Sequence, residues 1–238
     1  MYFENPDIYD QTYSFKDYLR EANDLVALID QWNPNASTLL DVACGTGLHL
    51  ERLSRHFQCE GLDINHDFLA KASGRFGGKL HHGDMESFSL QRLYDVVICL
   101  FGSISYLQTP DRLARAITCM AQHVAPGGLL VIEPWLTPEN FWHGNVKLEV
   151  SEQRDRKIAS MYVAKEENGV AILERHFLIG EPTGVRHFVE VHREGLFRGS
   201  DIIDPIQSNG FEIVHDDPFG LHGWGLFVAR RPSGSSEK

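Results

Sequence analysis

Between residues 36 and 134, short apolar runs alternate with segments of helical periodicity. The runs predict strands at Thr38–Ala43, Cys59–Asp63, Leu80–Gly83, Asp95–Phe101 and Gly128–Glu133. Several are apolar almost without interruption, the pattern of a strand covered on both faces by helices. Apolar residues at three- and four-residue intervals predict helices at Gly47–His56, His66–Arg75 and Asp111–Val124. Pro110 with Asp111 opens the last of these, and Pro126, Gly127 and Gly128 stop it before the next strand. Such alternation predicts an α/β fold with a doubly wound, mostly parallel sheet.

Two segments depart from the alternation. Residues 1–35 read as an N-terminal helical cap, helical from Phe15 onward and rich in tyrosine (Tyr2, Tyr9, Tyr13, Tyr18). Residues 146–197 hold β-like runs at Lys147–Glu152, Ile158–Ala164, Val170–Leu178 and Val185–Phe197, with turns such as Glu167-Asn168-Gly169 between them. They predict an inserted antiparallel sheet. A helix at Gly199–Asn209 and strands at Phe211–His215 and Gly225–Ala229 then complete a seven-stranded main sheet. The core is therefore expected over 36–145 and 198–231, with 232–238 as a disordered tail.

The chemistry concentrates at the strand ends, where ligands of such sheets bind. Leu39-Leu40-Asp41-Val42 runs into Ala43-Cys44-Gly45-Thr46-Gly47. Glycine tolerates positive φ and lets a ligand approach the backbone. Asp63 ends the second strand, placed to accept hydrogen bonds from ribose hydroxyls. The third strand leads into Asp84-Met85, an acid for an adenine amine and an apolar side chain for its ring. A dinucleotide fingerprint would carry a third glycine where this chain has Leu50.

Composition narrows the partners. The 238 residues carry a net charge of −11 with no Lys/Arg run, so nucleic acid is not expected. No apolar run reaches the ~18 residues of a membrane span, and the first residues do not form a signal peptide. Cys44, Cys59, Cys99 and Cys119 lack paired spacing, which suits reduced thiols in a cytoplasmic protein. His81, His82, His187 and His192 have no metal-ligand partners at useful spacing, so no metal is expected.

As a set, the residues from Asp41 to Gly47, Asp63, Asp84-Met85 and Pro126-Gly127-Gly128 resemble the class I S-adenosylmethionine-dependent methyltransferases. Further stretches resemble the TDP-amino-sugar N,N-dimethyltransferases of the desosamine and mycaminose type: Lys16-Asp17-Tyr18, Glu133-Pro134-Trp135, Pro138-Glu139-Asn140-Phe141 and Gly184-Val185-Arg186-His187-Phe188. The resemblance implies S-adenosylmethionine as cofactor, S-adenosylhomocysteine as product, a TDP-linked deoxy amino sugar as substrate, and a homodimer. It implies that Tyr9 and Tyr18 contact the methionine end of the cofactor. Ala43, Gly45, Asp63, Ile64, Asp84, Met85 and Leu100 would line its adenosine side. It places Tyr2 and Tyr106 at the sugar amine; their hydroxyls are expected to position the amine while water removes its proton. Trp135, Glu139, Arg186 and Trp224 would hold the nucleotide sugar. The chain departs from the family at Tyr13-Ser14-Phe15-Lys16, and at Trp224, where relatives carry arginine. Methylation of another small acceptor, or a cofactor-binding partner subunit without catalysis, are the competing readings.

Overall fold

Alternate residues of each central strand face opposite helical layers, and this is what fixes the main sheet. β1 (Thr38–Val42) is buried from Leu39 onward. In the computed structural model, which describes residues 5–234, β1 pairs in parallel with β2 (Gln58–Asp63) and with β4 (Tyr94–Cys99). β3 (Lys79–His82) extends the sheet beyond β2, and β5 (Val124–Ile132) extends it beyond β4, again in parallel. β11 (Leu226–Arg230) returns antiparallel against β5, and β10 (Glu212–Asp217) closes that edge. The order is β10-β11-β5-β4-β1-β2-β3, seven strands as expected. The connections change direction between β1 and β4, the position where such sheets bind ligands.

Leu39, Val96, Ile98, Leu129 and Val131 meet α2 (Tyr18–Trp32) and α3 (Leu48–Leu53) on one face. Leu40, Val42, Val97, Leu130 and Ile132 meet α5 (Pro110–Ala121) and α6 (Gly199–Ser208) on the other. Between them in the chain, α4 (His66–Ser73) follows β2, and a 3₁₀ turn, η1 (Ser103–Leu107), follows β4.

Two expected boundaries are corrected. β5 begins at Val124 rather than Gly128, and Pro126-Gly127-Gly128 lies inside it. There the pairing with β4 jumps from Tyr94↔Val124 to Val96↔Leu129, so the proline and glycines make an irregularity in the strand rather than a stop ahead of it. The cap is also two helices. α1 (Pro6–Thr12) is capped by Asn5, whose side chain accepts from the Asp7 and Ile8 N–H groups. Phe15 is exposed in the break, and Asp17 caps α2 by accepting from the Arg20 N–H at 3.0 Å.

The second sheet runs β6 (Val146–Glu152), β7 (Lys157–Glu167), β8 (Val170–Glu181), β9 (Gly184–Gly195), antiparallel throughout. Asn168 and Gly169 both take positive φ between β7 and β8, as a two-residue hairpin requires. Among the described residues no helix is long and apolar enough to cross a membrane.

Candidate active site

After Val42 the backbone takes positive φ at Ala43, Gly45 and Gly47 (61°, 57° and 79°). At Gly47 a Cβ would lie 3.0 Å from the Ala72 Cβ, so glycine lets α3 start against α4. The turn aims the Gly45 N–H at the end of β2, where it donates to Asp63 Oδ2 at 2.8 Å. The Asn65 N–H donates to Asp63 Oδ1 at 2.8 Å. Each carboxylate oxygen accepts more than one hydrogen bond, so Asp63 keeps acceptor capacity for a pair of hydroxyls. Burial raises its pKa, and the backbone donors of Asn65, Gly45 and Ile64 oppose the rise. Asp41 lies deeper. Burial first, then the charge of Asp63, push its carboxyl well above the usual range and favour its neutral form. Asp84 turns the chain after β3 by accepting from the Glu86 N–H at 2.9 Å.

These strand ends open into a cavity of about 440 Å³, within the ~300–1,000 Å³ common for small-molecule sites. Gly45, Asp63, Asp84 and Met85 line one end. The other end is built from η1, the chain after β5, and the inward face of the second sheet, including Tyr106, Trp135, Trp142, Tyr162, Arg175 and Glu194.

α1 is clamped over the glycine turn. Thr46 Oγ1 donates to Asp10 Oδ1 at 2.6 Å, and Asp10 is also ion-paired with Arg75 and, at 2.7 Å, with Lys71. Arg75 donates in addition to the Thr46 carbonyl at 2.8 Å. The clamp sets Tyr9 between the rings of Phe68 and Tyr13, at 5.1 and 4.9 Å.

Behind the aromatic wall of Phe101, His222 and Trp224 lies a buried charge cluster. Glu21 Oε2 is 3.2 Å from Lys16 Nζ and 2.9 Å from His49 Nε2, and its Oε1 is 2.7 Å from His222 Nε2. Glu133 accepts from the Phe101 N–H at 2.7 Å and from His222 Nδ1 at 2.7 Å. Burial raises the Glu21 pKa, but His222, His49 and Lys16 together outweigh it and hold the carboxyl well below its usual range. Burial lowers the His222 pKa, yet Glu133 and Glu21 outweigh it and favour the imidazolium. Lys16 Nζ lies 2.6 Å from His222 Nε2. Burial, the largest effect, lowers the Lys16 pKa to about 8 against the pull of Glu21 and Glu133.

At the other end, buried Arg175 is ion-paired with Glu149 and donates to Tyr13 Oη at 3.2 Å and Ser160 Oγ at 3.1 Å. Tyr106 Oη lies 2.9 Å from His192 Nδ1, and His192 Nε2 lies 3.2 Å from Glu190 Oε2. With Nε2–H donating to Glu190, Nδ1 accepts from the Tyr106 hydroxyl. Burial lowers the His192 pKa and so favours the neutral ring. Glu194, one inward position further along β9, is pushed up to about 7 by burial, against the pull of Arg175 and a hydrogen bond from Tyr106.

Of the residues singled out in the sequence, Tyr9, Ala43, Gly45, Asp63, Ile64, Asp84, Met85, Tyr106, Trp135 and Trp224 line the cavity. Tyr18 and Leu100 stand beside it, in a small cleft shared with Ala43 and Gly45. Tyr2 lies outside the described residues. Glu139 and Arg186 do not line the cavity. Glu139 is exposed and pairs with Arg198 at 3.0 Å, because the chain turns outward where the Thr137 N–H donates to Asn140 Oδ1. Arg186 is exposed above the Phe188 ring. It precedes Glu194 by eight residues along β9, which is roughly 27 Å of strand.

Sequence reasoning passed over Glu21, Arg175, Glu190, Glu194 and His222. A signal existed for most of them. Arg175 falls between Leu173 and Phe177 on the buried parity of β8, and Glu190, His192 and Glu194 share the inward parity of β9. Glu21 adjoins Ala22 and Leu25 on the apolar stripe of α2. A charge written into an apolar face needs a partner.

A family model describing a methyltransferase domain matches residues 39–128. Over 230 residues the chain is 38% identical to the dTDP-3-amino-3,4,6-trideoxy-alpha-D-glucopyranose N,N-dimethyltransferase of Streptomyces venezuelae, covering 94% of this chain and 97% of that one. It is 40% identical over 216 residues to the dTDP-3-amino-3,6-dideoxy-alpha-D-glucopyranose N,N-dimethyltransferase of Streptomyces fradiae, covering 90% and 84%. The solved structure of S-adenosylmethionine-bound CalS10, an amino pentose methyltransferase from Micromonospora echinaspora involved in calicheamicin biosynthesis, superposes with a TM-score of 0.87. The identity is 35%, and the match covers 97% of this chain and 98% of that one.

Proposed function

The chain belongs to the S-adenosylmethionine-dependent sugar N-methyltransferases, and from that membership we propose that it methylates the amino group of a dTDP-linked deoxy amino sugar. S-adenosylmethionine is the cofactor, and the residues present fit it. Asp63 has acceptor capacity for vicinal ribose hydroxyls, Asp84 offers a carboxylate beside apolar Ile64 and Met85, and the glycine turn leaves room for close approach. Bound there, the cofactor supplies a methyl group on a sulfonium, which is already electrophilic.

The protein's own task is then approach geometry, exclusion of water and control of one proton. Trp135, Trp142 and Tyr162 offer flat apolar surface to the sugar or the base. Lys147, with its Nζ 4.6 Å above the Trp142 ring, is a cation for the diphosphate. The observation that carries the reading is the continuity of the cavity from Asp63 and Asp84 to Tyr106 and Glu194. The relatives act on different amino sugars, so the test is a panel. Incubation with S-adenosylmethionine and dTDP-amino sugars, read by product mass, is expected to show gains of one or two methyl groups. Methylation of phenols or amino acids in place of every amino sugar overturns the proposal.

The same reading includes a homodimer. The outward face of the second sheet exposes Val146, Leu148, Val150, Met161, Val163 and Leu178. Val146 lies opposite Val163, and Leu148 opposite Met161, so the patch is continuous across strands. A second copy meeting this face about a two-fold axis would bury it. Leu148→Lys is expected to shift the protein to monomer in sedimentation velocity, and a monomeric wild type would count against the dimer. A cytoplasmic site of action accords with four buried, unpaired cysteines.

A further inference from the structure

An amino sugar reaches its enzyme largely as the ammonium, which has no lone pair for attack. The expectation from sequence assigned the departing proton to water. The cavity instead holds a carboxylate at the acceptor end. Glu194 is half-buried, and the surface it retains faces the cavity. Among the described residues, Arg175 takes Glu149 rather than Glu194 as its ion-pair partner. Glu194 is thus a second carboxylate at this end, lining the cavity together with Arg175, Lys147 and Glu149.

The surroundings allow Glu194 to change protonation state. It interacts electrostatically with Tyr106 of η1, Arg175 of β8, Tyr162 of β7 and Tyr13 of the segment after α1, and Lys147 and Glu149 of β6 line the same cavity. Its neighbours on β9 are His192 and Glu190. The Tyr106 hydroxyl can donate either to the Glu194 carboxylate or to His192 Nδ1, which lies 2.9 Å away. When Glu194 is ionised the hydroxyl can donate to it. When Glu194 is protonated the hydroxyl can turn to His192, whose Nε2 lies 3.2 Å from Glu190 Oε2. Neither state strands a buried O–H.

We propose that Glu194 is the proton acceptor for the substrate ammonium, with Tyr106 as its positioning partner. The inference rests on the amino-sugar reading above. One N–H bond of the ammonium breaks, its proton bonds to a Glu194 oxygen, and the electron pair stays on nitrogen. That pair forms the N–CH₃ bond while the C–S bond of the sulfonium breaks, leaving its electrons on sulfur. The product is a methylammonium. Glu194 returns its proton to solvent before a further cycle on the same nitrogen.

The test is Glu194→Gln, with kcat followed against pH. Wild-type kcat should rise with pH as Glu194 ionises. At pH 7 the variant should be slower by on the order of 10²-fold, and should recover as the pH approaches the amine's own pKa. An alkoxyamine-bearing sugar analogue, neutral at pH 7, should be methylated equally fast by both proteins. Affinity for S-adenosylmethionine, measured by calorimetry, should be unchanged. If Glu194→Gln does not fold, Glu194→Asp keeps the acid and should keep the wild-type pH dependence at a lower rate. Equal losses on the ammonium and the neutral acceptor, or an unaltered pH profile, overturn the inference. A wild type that methylates no amino sugar overturns the functional reading beneath it, and that result is seen before any variant is made.

Discussion

The Gly45 N–H donates to Asp63 Oδ2 at 2.8 Å, so the turn after the first strand and the acid that ends the second form a single unit. The carboxylate orders the glycine turn, and the turn aims the carboxylate. Asp63→Ala removes an acceptor from two backbone N–H groups and, in the proposed site, from the cofactor ribose. Hydrogen bonds to a charged group contribute about 1.5–3 kcal/mol each, so the dissociation constant for S-adenosylmethionine should rise at least roughly tenfold. Calorimetry measures it, and unchanged affinity would remove Asp63 from the site.

Asp10 gathers Thr46, Lys71 and Arg75 and so closes α1 over the same turn. Asp10→Ala should free α1 without disturbing the main sheet. Amide exchange should quicken across Pro6–Thr12, cofactor affinity should fall severalfold, and exchange in β1 and β4 should stay as in the wild type. Unchanged exchange in α1 would show that the clamp is dispensable.

Glu21 answers to pH with a defined sign. Its folded pKa lies below the ordinary 4.5. The stability it contributes is therefore present above that value and is lost as the pH falls from it toward the folded pKa. Glu21→Gln leaves Lys16, His49 and His222 facing a neutral amide, and breaking a buried pair costs about 3–5 kcal/mol. Urea midpoints should show that deficit at pH 7, and the gap between variant and wild type should narrow below pH 4.5. A gap that stays constant into acid would contradict the assignment.

Gly61 lies in the middle of β2, where a Cβ would come within 2.6 Å of Leu50 Cδ1, 2.8 Å of Cys44 Sγ and 2.9 Å of Leu80 Cδ2. Gly61→Ala should destabilise the protein by about 1–3 kcal/mol through overpacking, as read by urea denaturation. Because Cys44 adjoins the glycine turn, cofactor affinity should weaken as well. Wild-type stability in this variant would mean that the α3 side of the sheet is looser than its packing indicates.

The sequence by itself determined the main sheet, its helices and the strand-end side of the cavity. Those features are local: a strand run, a turn whose backbone favours glycine, and an acid at a strand tip each sit within a few residues of the position they serve. Leu39 and Leu40 record in two letters that the sheet is covered on both faces. Capping by Asn5 and Asp17 was equally local, yet the aromatic run Tyr13–Phe15 masked the break between α1 and α2.

Only the tertiary structure decided the acceptor end. Tyr106 meets His192 across 86 residues of chain, Arg175 meets Tyr13 across 162, and Lys16 meets His222 across 206. No periodicity carries such separations. β-strand alternation says which side of the second sheet a residue faces, but not what stands opposite or how far along the strand the cavity lies. Glu194 and Arg186 share the same parity on β9, and only the docking of the second sheet against η1 brings the first to the cavity and leaves the second in solvent.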